Sequence, residues 1–244
     1  MSPCPISIKG WDLMKVRCAV VSVLSIMFAQ CAAASDISGV RIGSTLSEAS
    51  IAIKRANNAY AMSTVWNYEG GEVKGIKAVA GDTNGGSIHG YADQFVALQD
   101  ERGVVWFVAR YQKMGPGARV SMADLLASLK KKFGEPSFTP ISGQRVNSWD
   151  YDWAGAQFHG QYPENPCSDL RMQRLHMTGL SISAPLTFPE KCGKRIVLSY
   201  YEYEGMVHDF TLKVIDVKSH FIATRGVPSR PPPPAPEKAI KPQI

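Results

Sequence analysis

Between Met14 and Ala34 the chain reads MKVRCAVVSVLSIMFAQCAAA, and this stretch constrains how everything after it can fold. Lys15 and Arg17 give a positive start, Cys18 to Ala29 an apolar run of 12 residues, and Ala32, Ala33 and Ala34 the small side chains a signal peptidase needs. The run falls short of the roughly 20 apolar residues that span a bilayer. It reads as a secretory leader that starts at Met14, follows an upstream extension, and is cut between Ala34 and Ser35. Cys31 is not read as a lipidated residue, because Gln30 precedes it where a lipoprotein signal wants a small residue. The folding unit is then expected in the periplasm or outside the cell, with no transmembrane segment.

That compartment simplifies the cysteines. Cys4, Cys18 and Cys31 leave with the leader, and Cys167 and Cys192 remain. Two cysteines in an oxidising compartment are expected to pair. No Cys-x-x-Cys or His-x-x-x-His spacing accompanies them, so neither a metal nor another cofactor is expected.

The formal charge of +6 invites a nucleic-acid reading until it is located. Residues 1–34 carry net +2 and residues 225–244 net +3, which leaves net +1 for the 190 residues between them. A nearly neutral domain lacks the basic footprint that phosphate binding requires. The last segment, GVPSRPPPPAPEKAIKPQI, has four consecutive prolines and no aromatic residue. It reads as an extended or disordered tail over 225–244.

An internal echo organises the middle. Thr45 to Arg55 (TLSEASIAIKR) aligns with Ser121 to Lys131 (SMADLLASLKK) at an offset of 76 residues. Each begins with a hydroxyl followed three places later by an acid, a capping-box pattern, and each ends on two cations at the negative end of the helix. Strand signals follow each helix. They run Ser63 to Glu69, Val73 to Ala80, Tyr91 to Leu98 and Val104 to Lys113, then Asn147 to Trp153, Leu175 to Ser183, Arg195 to Tyr203 and Met206 to Val217. Asp100 to Gly103 and Glu204-Gly205 read as hairpin turns. The expectation is an α+β protein of two tandem repeats, each a helix plus an antiparallel β-meander. The repeats would occupy 35–118 and 119–224, the disulfide lying in the second. The helices would pack on one face of the sheet and leave the other open.

Two stretches also carry a resemblance. Ile37 to Glu48 (ISGVRIGSTLSE) and Val104 to Pro136 (VVWFVARYQKMGPGARVSMADLLASLKKKFGEP) resemble the repeats of small exported bacterial proteins. The superfamily is that of the β-lactamase-inhibitory proteins and the related outer-membrane assembly lipoproteins, and the likeness extends over about residues 37–220. It implies tandem repeats forming one concave sheet whose exposed face and hairpin loops bind other proteins. This chain departs from the pattern in having cysteines for one disulfide and in lacking the lipoprotein signal.

No nucleophile elbow, phosphate loop or dinucleotide fingerprint is present. The five histidines, His89, His159, His176, His208 and His220, form no i, i+4 pair. An envelope hydrolase would have to assemble its site from scattered residues such as His159, Asp150 and Asp152. Aromatics with polar tips suit a binding surface better. Trp149, Tyr151 and Trp153 alternate with polar residues, which suits either a core or a contact face. Trp66 and Tyr68 form a similar pair. Trp106 shares a predicted face with Arg110 and is expected to be exposed. Asp82 sits in a turn-rich loop that could reach a partner. The expected role is therefore a non-enzymatic binding module for a protein or envelope ligand, or alternatively a structural envelope component.

Overall fold

The computed structural model describes residues 35–65, 74–81, 91–139, 145–160, 164–167, 174–176, 179–181 and 189–224. The leader and Ala34, Trp66, Tyr68, Asp82 and the tail 225–244 lie outside the described residues. From Asp36 onward the chain forms one unit by its contacts. No helix among the described residues is long and apolar enough to cross a membrane.

Two short strands, β1 (Asp36–Ile37) and β2 (Val40–Arg41), pair first. Helix α1 (Leu46–Ala56) begins at Thr45, whose side chain accepts from the Glu48 amide while the Glu48 carboxylate accepts from the Thr45 amide. Helix α2 (Met122–Phe133) begins at Ser121, whose Oγ accepts from the Asp124 amide at 3.0 Å. It ends on Gly134 at φ 82°, a conformation that favours glycine. Both helices therefore stand where their caps place them.

Seven strands make the main sheet: β3 (Ala61–Val65), β4 (Lys74–Gly81), β5 (Ala92–Gln99), β6 (Val105–Lys113), β7 (Val146–Tyr151), β10 (Lys194–Tyr203) and β11 (Met206–Asp216). Their order is β3-β4-β5-β6-β11-β10-β7, and every described pairing is antiparallel. Strands β8 (Arg174–His176) and β9 (Gly179–Ser181) pair apart from it. Helix α3 (Val217–Thr224) follows β11 directly.

This overturns the expected α+β pair of helix-plus-meander repeats. The protein is predominantly β. Strands from both parts of the chain merge into a single sheet, with four from the first part and three from the second, while β8 and β9 stand outside it. The local echo of α1 and α2 is a similarity of helices and caps. It does not extend to the strand pairing, which is set by contacts distant in sequence.

The sheet also lacks the expected open face across its central strands. One face carries the row Met62, Ala78, Phe95, Arg110, Leu212, Leu198 and Asn147. Helix α1 lies over β4 and β5 on this side, with Tyr60 meeting Phe95 edge-on at 5.8 Å, and Phe133 at the end of α2 meets Trp149 at 5.9 Å. The opposite face carries Ser63, Lys77, Val96, Ala109, Lys213, Val197 and Ser148. Val96, Ala109, Lys213, Val197 and Ser148 are all buried there too. On that side α3 packs on β6 and β11. Burial of apolar side chains on both sides of β5, β6, β11 and β10 is the main source of stability, at about 25 cal/mol per Å².

Candidate functional site

Of the described candidate binding residues, Trp106, Trp149 and Tyr151 are buried. Trp106 is fully buried, contrary to expectation. Leu98 opposes Phe107 and Gln99 opposes Val105, so Trp106 is the extra residue of a β-bulge. The bulge breaks the alternation that put Trp106 beside Arg110. Its indole instead stacks on His220 of α3 and joins a core with Val96, Leu98, Phe107 and Ile215.

Arg110 is partly buried and held by its neighbours. Its Nε and Nη2 donate to the two oxygens of Asp93 at 3.0 and 2.7 Å, its Nη1 donates to Ser38 Oγ at 2.9 Å, and its guanidinium lies 5.2 Å from the Phe95 ring. Gln112 and Tyr91 also donate to Asp93. Burial works against the Arg110 charge, but the Asp93 hydrogen bonds and charge outweigh it and hold its pKa above the usual value. The cluster ties the β1–β2 turn to β5 and β6. Asp93 was missed from the sequence, where the signal was an acid, next to Gln94, inside a strand run whose other residues from Ala92 to Leu98 are apolar.

Trp149 and Tyr151 are core residues. Trp149 Nε1 donates to Gly134 O at 2.8 Å and Tyr151 Oη to Phe133 O at 2.6 Å, so β7 clamps the end of α2. Burial, then the neighbouring Asp150, pushes the Tyr151 hydroxyl up to about 12. Trp153 lies beyond β7 in a turn, half exposed, with Nε1 donating to Glu190 O at 2.7 Å. The three rings therefore do not form one face.

Around the disulfide the structure is polar and closed. Cys167 and Cys192 are joined and wholly buried, with Val217 and Phe158 against them. Asp150 is inaccessible to solvent. Its carboxylate lies 3.0 Å from Arg195 Nε and accepts from Ser148 Oγ at 3.0 Å and Asn165 Nδ2 at 2.7 Å. Arg195 also donates to Cys167 O, and burial lowers its pKa against the pull of Asp150. Gly193 is required nearby, since a Cβ there would stand 2.6 Å from the backbone of Asp152. Asp152 Oδ1 caps its own turn by accepting from the Ala156 amide, while His159 is exposed. With Asp150 sealed in an ion pair, this trio does not build the hydrolase site considered above.

The arrangement best suited to contact lies at the end of the β10–β11 hairpin. Glu204 at φ 53° and Gly205 at φ 74° both take positive φ, as a type I′ turn requires. The turn is braced by Val120 to Met122, through Val207 N to Val120 O and Met122 N to Gly205 O, each at 2.9 Å. Tyr201 opposes Asp209 and Glu202 opposes Val207, so His208 is the extra residue of a second bulge. The regular alternation of faces is broken at this point of β11. His208 meets the rings of both Tyr201, at 5.4 Å, and Tyr203, at 6.2 Å. Arg145 stands 4.6 Å over the Tyr201 ring. Tyr201 and Tyr203 are 45% and 58% exposed, and Met206 and Val120 are also exposed. Opposite Tyr201 on the neighbouring strand, the Asp209 carboxyl is raised above the ordinary aspartate value, first by burial, against the opposing charges of His208, Lys113 and Arg145.

Comparison with models of protein families, with curated proteins and with solved structures found no match to this chain. Among the described residues no group of three or more His, Cys, Asp or Glu side chains is placed to hold a metal ion.

Proposed function

We propose that the protein is an exported binding module whose contact surface is the Tyr201–Tyr203–His208–Arg145 patch at the end of the β10–β11 hairpin. The leader-like Met14 to Ala34 stretch supports export to the periplasm or beyond. The observation that carries the reading is the pair of exposed tyrosines held edge-on by a single histidine. Protein interfaces are enriched in Tyr, Met and Arg and depleted in Lys and Glu, and Tyr201, Tyr203, Met206 and Arg145 match that composition. The braced turn and the histidine between the rings hold them in place before contact, so little side-chain entropy is lost on binding. The partner is read as a protein of the cell envelope.

The test is affinity capture from an envelope extract with the mature chain, followed by calorimetry with the captured protein. A partner held by wild type and by the Ile222→Ala control, and lost with the Tyr201→Ala/Tyr203→Ala double variant, supports the patch. A partner that the double variant holds as tightly as wild type places the contact elsewhere.

A further inference from the structure

The two ends of the sheet are finished differently. At one end, the outer side of β7 is closed by chain that is not part of the sheet. Ser137 N and Phe138 N donate to Ser148 O, Ser148 N donates to Phe138 O, and Phe158 N donates to Asp150 O. At the other end, β3 pairs with β4 through five consecutive residues, Ala61 with Val79 through Val65 with Gly75, without a bulge. Among the described residues nothing hydrogen-bonds to its outer side. In an antiparallel edge strand every second residue turns its N–H and C=O outward.

Edges of this kind are ordinarily blunted by charge, proline or a bulge. The β3 sequence, Ala-Met-Ser-Thr-Val, contains none of these. The cations stand beside the edge instead. Lys77 on β4 is directly opposite Ser63. Helix α1, which lies over β4 and β5, reaches β3 through Ser50 Oγ, 3.6 Å from Met62 Sδ, and carries exposed Lys54 and Arg55 in its last turn, Lys54 Nζ donating to the carbonyls of Asn58 and of Tyr60 just before β3. The one acid of α1, Glu48, is taken up by the Thr45 cap.

We propose that the outer edge of β3 accepts an extended, acidic segment of a partner protein as an added strand. Main-chain hydrogen bonds would supply the pairing, and the Lys54, Arg55 and Lys77 charges would select for acidic side chains. A second copy of this chain is the poorer occupant, because two-fold pairing of β3 with itself brings the same cations together across the joint. This surface is at the opposite end of the sheet order from β10 and is independent of the hairpin patch.

The experiment uses the mature chain and a fluorescein-labelled peptide of alternating glutamate and valine, with a lysine–valine peptide of equal length as control. Fluorescence anisotropy reports binding, and amide hydrogen exchange reports where it occurs. The expected result is binding of the acidic probe alone, slowed exchange at Ala61 to Val65, and affinity about tenfold weaker in the Ser63→Glu/Lys77→Glu variant. Both substituted side chains are accessible, so this variant is expected to fold, which circular dichroism checks. Binding should be unaffected in Tyr201→Ala/Tyr203→Ala, which separates this edge from the hairpin patch. The proposal is overturned by equal binding of the two probes, by no binding, by protection confined to other strands, or by indifference to the charge reversal. A β3-dependent dimer in sedimentation that excludes the probe would overturn it in favour of self-pairing.

Discussion

The Trp106 indole and the His220 imidazole lie stacked, 5.0 Å between centroids and 6° from parallel, and so join the first bulge of the sheet to the helix that ends the described chain. The pair seats α3 on β6. Trp106→Ala is expected to cost about 3–5 kcal/mol, the range for emptying a large aromatic site. His220→Ala should cost less, and His220→Phe should recover much of the loss because a ring can keep the stack, worth about 1 kcal/mol beyond its buried area. Urea unfolding of the three variants checks this. Equal midpoints for His220→Ala and wild type would mean that α3 does not depend on the stack.

The strands were legible where local chemistry decides them. The β-branched and aromatic runs at β5, β6, β10 and β11 are bounded by turn residues, and Asp100 does accept from the amides of Arg102 and Val104 as a hairpin turn requires. The caps of α1 and α2 were legible for the same reason. What could not be read is set by partners distant in sequence. Alternation assigns Trp106 and His208 to faces only if the ladder is regular, and both sit at bulges created by strand pairing. The merging of both parts of the chain into one sheet, and the covering of its second face, are likewise products of tertiary packing. Helix α3 was hidden because Val217, Phe221 and Ile222 continue the apolar pattern of β11. Its one local signal was Asp216, whose Oδ1 accepts from the Ser219 amide at 2.7 Å.

Reduction offers a second measurement. The Cys167–Cys192 bond closes a loop of sequence separation 25 and ties the turn at Cys167 to the residues just before β10. Loop-closure entropy puts its contribution at roughly 3 kcal/mol. Adding reductant should lower the urea midpoint of wild type by the corresponding amount and leave Cys167→Ser/Cys192→Ser unchanged. A midpoint in wild type that ignores reductant would show that the bond contributes nothing.

Beside the disulfide, Asp150 and Arg195 form a pair whose partners depend on each other. Removing either alone strands a charge in a closed site, and Arg195→Met is expected to destabilise by about 3–5 kcal/mol. The Asp150→Leu/Arg195→Met double variant should lose less than the sum of the single losses, because no charge is left unpaired. A double-mutant cycle measures the coupling, and strict additivity would show that the two side chains stabilise the protein independently.

Asp209 gives the protein a defined acid response at the proposed contact patch. Burial is the largest influence on its carboxyl and leaves its folded pKa above the ordinary aspartate value, despite His208, Lys113 and Arg145. A carboxyl raised in this way holds its proton more tightly in the folded state than in the unfolded one. Its stabilising contribution is therefore full below the unfolded pKa, declines as pH rises through the interval up to the folded pKa, and becomes a constant penalty above it. Asp209→Asn removes that dependence. The variant should match wild type in acid and exceed it once pH has passed the raised pKa. Urea midpoints for both proteins in a series from about pH 3 to about pH 7, which brackets the carboxylate range, decide the matter: the difference must grow with pH, and a constant difference would show that Asp209 titrates as an ordinary surface carboxylate.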